Sequence, residues 1–164
     1  MEEVANQREE DVTFRSLPHN DEAEQALLGA LLVNNEKIHI VSGFLLAEQF
    51  YQPIHGRIYD AVLKLVERGQ MANPVTLKHY FENDDALTDI GGAQYLARLA
   101  GSTVTIINAE DYARTVHDLA LRRSLISLGE GVVNDAFDYK IDVPATDQIE
   151  TAEKRLYDLA TVGD

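Results

Sequence analysis

An all-helical fold, a small globular head followed by a long antiparallel helical hairpin, is what this sequence predicts, and three observations predict it. Apolar residues recur at three- and four-residue spacing in one segment after another, the pattern of a helix with a buried face. The four prolines, Pro18, Pro53, Pro74 and Pro144, all fall where such a segment begins or is about to begin. The one β-branched run, Gly101 to Ile107, has no second strand to pair with and reads as an extended connector.

The elements follow in order. Residues 1–17 are polar and unpatterned and read as a disordered leader. Folding starts near Pro18, with Asn20 or Asp21 capping a helix whose apolar face is Ala23, Leu27, Ala30 and Leu31, flanked by Leu28 and Leu32, and which ends at Asn34 or Asn35. A shorter piece spans 36–42. From Ile54 the residues Ile58, Val62 and Leu65 hold helical spacing up to a stop at Gly69. Pro74 opens a short helix running to Glu82, Asn83 to Asp85 form a turn, and Ala93 to Ala100 form another short helix after Gly91 and Gly92.

From Asn108 the chain changes character. Residues 108 to about 138 contain no Pro and read as one long helix, with Tyr112, Val116, Leu119, Ala120 and Ile126 along one side and Leu121, Leu125, Leu128 and Val132 beside them. Beyond Pro144, Ile149, Ala152, Leu156 and Leu159 follow a three, four, three spacing, that of a helix packed on another helix. The organisation expected is therefore a leader at 1–17, a head at 18–107 and a hairpin at 108–164. Such a hairpin has two sides to cover and its own head reaches only part of them, so self-association through it is expected.

Composition narrows the function. The 164 residues are 45% hydrophobic, enough for a real core, and include no Cys, which removes disulfides and thiolate metal sites. Met1 to Asp11 carries five acids against Arg8 alone, unlike a signal peptide, and no 18 apolar residues run together, so a soluble, cytoplasmic protein without membrane contact is expected. The formal net charge is −14, with acids exceeding bases in 1–24, 25–107 and 108–164 alike. Phosphate neutralisation rests on Lys and Arg, so no segment has the footprint of a primary DNA-binding surface.

A search for chemistry finds little. There is no Gly-x-x-x-x-Gly-Lys-Ser/Thr loop to cradle a nucleotide phosphate, and Gly129-Glu130-Gly131 reads as a packing or bending feature of the hairpin. His79 with Glu82 is the one i, i+3 pair with metal-ligand spacing, and no second pair supports it. His117 and Asp118 are helix neighbours that point to different faces. Asp84 with Asp85 reads as a solvated turn. Phe50, Tyr51, Tyr59 and Tyr95, without interleaved Lys or Arg, read as core and interface aromatics. No catalytic residue, cofactor site or metal site is assigned.

The run Pro18-His19-Asn20-Asp21-Glu22-Ala23-Glu24-Gln25-Ala26-Leu27-Leu28-Gly29 resembles the opening motif of DnaB-type replicative DNA helicases, a Pro followed by an Ala-Glu-Gln-x-x-Leu-Gly helix. Phe50-Tyr51, His55, Ile58-Tyr59, Pro74-Val75-Thr76-Leu77, Ile90-Gly91-Gly92 with Tyr95-Leu96, Asn108, Tyr112-Ala113 and Arg122-Arg123 with Leu125-Ile126 agree with the family in order and spacing, over residues 17–135. The resemblance implies an N-terminal domain of head and hairpin, whose hairpins pair into dimers that assemble as a three-fold collar on a hexameric motor. It implies further that the ATP- and Mg-dependent, DNA-unwinding motor lies outside this chain, which stops within the linker region and has no activity of its own. The partners it implies are primase, docking near the junction of head and hairpin, and a helicase loader, with DNA held only by the motor. By motif position it points to Glu22, Tyr95, Ile126 and Val132 as the primase-docking surface, while the hairpin spacing points to Ile149, Ala152, Leu156 and Leu159 for self-association. The residues alone leave open a free-standing helical adaptor or regulatory protein of the same architecture.

Overall fold

The computed structural model describes residues 16–82, 84–102, 108–138 and 142–161, which form eight α-helices and two 3₁₀ turns, with no strand among the described residues. Nearly all of the expected leader, up to residue 15, and most of the expected connector, 103–107, lie outside the described residues.

Helix α1 (Asp21–Val33) begins where Asn20 accepts a hydrogen bond from the Ala23 N–H at 3.0 Å, with Asp21, Glu22 and Glu24 in its first turn against the positive end of the helix dipole. It ends at Asn34, as the pair of asparagines suggests. Asn35 then makes a long-range connection: its amide donates to the Leu31 and Ala72 carbonyls and accepts from the Ala72 N–H, all at 2.8 Å, fixing the loop after α3 to the end of α1. A 3₁₀ turn (Asn35–Lys37) leads into α2 (Ile38–Val41), and a second turn (Ala47–Gln49) leads to α3 (Pro53–Glu67). In α3 the buried residues Ile58, Tyr59, Val62 and Leu65 form one face. Gly69 follows at φ 73°, the left-handed backbone that suits glycine after a helix.

Helix α4 (Pro74–Tyr80) carries Pro at its first turn and a reciprocal cap, in which Asn73 accepts from the Val75 and Thr76 N–H groups while the Thr76 hydroxyl accepts from the Asn73 N–H at 2.9 Å. Of the turn expected at Asn83 to Asp85, Asn83 lies outside the described residues and the remainder needs correcting. Asp84 is instead the cap of a fifth helix, α5 (Asp85–Asp89), accepting from the Ala86 and Leu87 N–H groups. Five residues with one buried apolar side chain, Leu87, are too few to show a helical period. Gly91 and Gly92, both at positive φ, turn the chain into α6 (Ala93–Gly101).

Helix α7 (Ala109–Phe137) is a single 29-residue helix that serves two structures. Its first three turns pack on α1 and α2 and bury Ala109, Ala113, Val116 and Ala120, the first three of them in the same core as Leu27, Leu28, Leu31, Ile38 and Ile58. Small side chains on that row let the helices approach closely, and each large partner fully withdrawn from water contributes about 1.5–3 kcal/mol. The boundary expected at 108 thus opens α7 in sequence but lies inside the head in packing. Ile126, expected on the same side as Val116, is 37% exposed, because the head ends before α7 reaches it. Beyond Ala120, α7 reaches the head through Arg123 and otherwise packs on α8 (Ala145–Thr161), which has no fully buried residue, and the two form the projecting hairpin.

Candidate functional site

Three helices of the head meet at a buried polar centre. Glu24, 2% exposed, places Oε2 at 2.8 Å from the Tyr51 N–H and Oε1 at 3.3 Å from the Gln52 N–H, so a carboxylate from α1 satisfies the free amides at the start of α3. Pro53 at the first turn of α3 removes one further donor there. Glu24 Oε1 also receives the His55 Nδ1–H at 2.8 Å, which leaves Nε2 to accept the Tyr95 hydroxyl. The His55 and Tyr95 rings are nearly parallel, with planes 7° apart and centroids 6.0 Å apart. Burial raises the Tyr95 hydroxyl pKa, with a hydrogen bond from Gln25 and the nearby Arg98 opposing and Asp21 and Glu24 adding to the rise. Gln52 also reaches Asp21, closing the network around the first turn of α1.

A second cluster joins head to hairpin. Arg123 of α7 donates through Nη1 to the Pro18 carbonyl at 2.8 Å and through Nη2 to the Gln49 carbonyl at 2.7 Å. Its guanidinium also lies 5.4 Å from the centroid of the Tyr51 ring, on which His19 stacks at 4.0 Å. Tyr51 therefore has a cation over its ring after all, supplied from 72 positions along the chain, where no local reading of the sequence finds it. Arg123 stood in the family motif without a role, and its neighbour Arg122 only pairs with Asp118 on its own helix.

The four candidate docking residues separate by place. Glu22 is exposed on the first turn of α1, and Tyr95, half-buried, has its hydroxyl committed inward to His55. Ile126 is exposed three residues beyond Arg123 on α7. Val132 lies roughly 9 Å further along α7 by helical rise and lines a groove near the hairpin tip of about 250 Å³ with Val143, Ala152 and Arg155.

The four hairpin residues do not form one row. Ala152 and Leu159 are half-buried towards α7, Leu159 facing Leu128 beside Ser124 and Ser127. Ile149 and Leu156, one heptad apart, are 58% and 46% exposed. With Leu125, Val133, Phe137 and Tyr157 they leave the hairpin with a large exposed apolar surface. A Cβ at Gly131 would stand 3.5 Å from an Arg155 guanidinium nitrogen, an ordinary contact, and one at Gly129 would meet open space, so close packing does not require glycine at either position.

The remaining chemical candidates resolve individually. His79 stands 4.0 Å from Glu82 with both side chains exposed. His117 turns its Nε2 into the protein, where it has no hydrogen-bond partner among the described residues, edge-on to Phe44, while Asp118 points away to Arg122. Phe50 and Tyr59 are core residues, the Tyr59 hydroxyl donating to the Leu45 carbonyl at 2.8 Å. Among the described residues no helix is long and apolar enough to cross a membrane.

Fold and site together define an all-helical module in which a polar-centred head carries a projecting apolar hairpin. The family model described as the DnaB-like helicase N terminal domain matches residues 16–118, and the chain belongs to that family. It is 46% identical over 159 residues to the replicative DNA helicase DnaB of Rickettsia felis, covering 96% of this chain and 32% of that protein. It is 34% identical over 143 residues to the replicative DNA helicase DnaC of Bacillus subtilis, covering 87% of this chain and 31% of that protein. The chain thus spans about a third of the length of the curated relatives it matches. The crystal structure of the N-terminal domain of DnaB helicase from Mycobacterium tuberculosis superposes with a TM-score of 0.77 at 34% identity, over 87% of this chain and 99% of that one.

Proposed function

We propose that this chain is the N-terminal assembly and partner-docking domain of a replicative DNA helicase acting in the cytoplasm. Its hairpin pairs with that of a second copy, three such dimers form the collar of a hexamer, and primase docks on the collar at the junction of head and hairpin, with a loader as a further partner. The whole protein unwinds DNA with ATP and Mg at a motor domain, and this domain has no catalytic part in that reaction. DNA is held by the motor, since a domain with net charge −14 repels phosphate.

The observation that carries the reading is the hairpin surface: beyond Ala120 no residue of either helix is fully buried, while Leu125, Ile149, Leu156 and Tyr157 stand exposed. Apolar side chains at such density on two helices call for a partner surface. Light scattering across a concentration series tests it, with a dimer or a multiple of it expected and a monomer at every concentration refuting hairpin pairing. Titration with the helicase-binding domain of primase tests the docking role. Glu22→Ala and Ile126→Glu each weaken that binding, and unchanged affinity in both removes the junction as the docking surface.

A further inference from the structure

Helix α7 leaves the head without a break, so the hairpin projects in whatever direction the head holds α7. The last buried residue of α7 is Ala120, and the next contact with the head is Arg123. Its guanidinium fork reaches two backbone carbonyls in segments 31 residues apart, Pro18 ahead of α1 and Gln49 ahead of α3. The Tyr51 ring beside it also stacks on His19, and the Tyr51 N–H is anchored on buried Glu24. The Pro18 carbonyl precedes α1 and the Gln49 carbonyl ends the 3₁₀ turn before α3, and charge-assisted bonds to a planar fork constrain angle as well as distance.

We propose that Arg123 is the positioning residue that sets the angle between head and hairpin. Its two carbonyl bonds and the His19–Tyr51 stack hold α7 at the point where it leaves the core, so that hairpin surfaces are presented in one orientation. Arg122, one position earlier, faces away and pairs only with Asp118, so it has no such role. The angle is a property of the single chain and does not depend on the assembly role proposed above; its consequence for collar geometry does rest on that role.

The chain contains no native Cys, so two labels can be placed cleanly. Spin labels at Met71→Cys on the head and Ala136→Cys near the hairpin tip, both exposed, report the angle by electron–electron distance measurement. Dilution into unlabelled protein confines the signal to pairs within one chain. The parent gives a single narrow distance, which Arg123→Ala and Arg123→Gln lose in favour of a broad distribution, while Arg122→Ala keeps it. Amide exchange of α1 and α3 confirms that the head is still folded, and Arg123→Gln, which retains most of the side-chain stem, serves where Arg123→Ala does not. A distribution as narrow as the parent's in a folded Arg123 variant overturns the proposal, as does equal broadening by Arg122→Ala. Measuring the solution mass of the same variants separates this from the assembly reading, because a broadened angle with unchanged dimerisation leaves the proposal standing.

Discussion

His55 and Glu24, 31 positions apart, meet at 2.8 Å with their side chains only 3% and 2% exposed. The carboxylate also accepts the Tyr51 and Gln52 N–H groups, so one side chain from α1 serves three donors at the start of α3. Glu24→Gln keeps the shape but turns an amide donor towards some of those donors. Leaving buried donors unpaired costs about 1–3 kcal/mol, so a loss of about 1–3 kcal/mol is expected. Urea unfolding measures it, and a loss below about 1 kcal/mol would mean that water replaces the carboxylate.

Gly56 is required for a different reason. A Cβ there would stand 2.5 Å from the Ala47 carbonyl oxygen, a backbone atom that can move only if the turn before α3 moves. Gly56→Ala therefore lowers stability by about 1–3 kcal/mol although alanine favours helix, whereas Gly129→Ala, with open space at its Cβ position, is expected to raise it by up to about 1 kcal/mol. Parallel thermal melts of the two variants check the contrast in sign.

Tyr59 makes stability sensitive to alkali. Burial raises its hydroxyl pKa from 10.0 to about 12. Below pH 10 the hydroxyl is protonated in both folded and unfolded chains and contributes no slope. Above it the unfolded chain releases its proton first, so stability falls by about 1.4 kcal/mol per pH unit until the folded group titrates near pH 12. Tyr59→Phe removes that part of the slope, while costing about 1 kcal/mol at neutral pH for the lost bond to the Leu45 carbonyl. Denaturant unfolding between pH 9 and about 11.5 compares the two slopes, and identical slopes would place the alkaline sensitivity elsewhere.

The two faces of α8 respond differently to charge. Leu156→Asp, at an exposed position, leaves the single-chain fold intact and weakens self-association, because a charge enclosed in an apolar contact costs several kcal/mol, about 2–5, unless paired. Ala152→Asp instead acts inside the hairpin, where Asp135, Asp138 and Asp147 already line the same groove, and loosens α8 from α7. Sedimentation velocity detects the first effect and helical circular dichroism the second. The reverse assignment would mean that α8 turns its other face to a partner.

The long elements were legible because their signals are local. The spacing of Ile58, Val62 and Leu65, the asparagine cap of α1 and the prolines at the starts of α3 and α4 each act within one or two turns, and each matches the structure. The helix at Asp85–Asp89 was missed since a single buried leucine gives no period to read. The hairpin spacing was visible, but not which residues face inward. Three, four, three spacing describes a stripe wider than the contact with α7, and only the crossing of α7 and α8 turns Ala152 and Leu159 inward and leaves Ile149 and Leu156 exposed.

By itself, then, the sequence determined the helical class, the order of the head and hairpin, and the family to which its motifs belong, since these rest on periodicity, capping and neighbouring residues. The tertiary structure alone decided that Glu24, His55 and Tyr95 form one buried chain of hydrogen bonds and that Arg123 closes on Pro18, Gln49 and Tyr51. Those contacts join residues 31 to 105 positions apart, and a side chain's partner at that separation depends on how the helices cross, which local spacing does not encode.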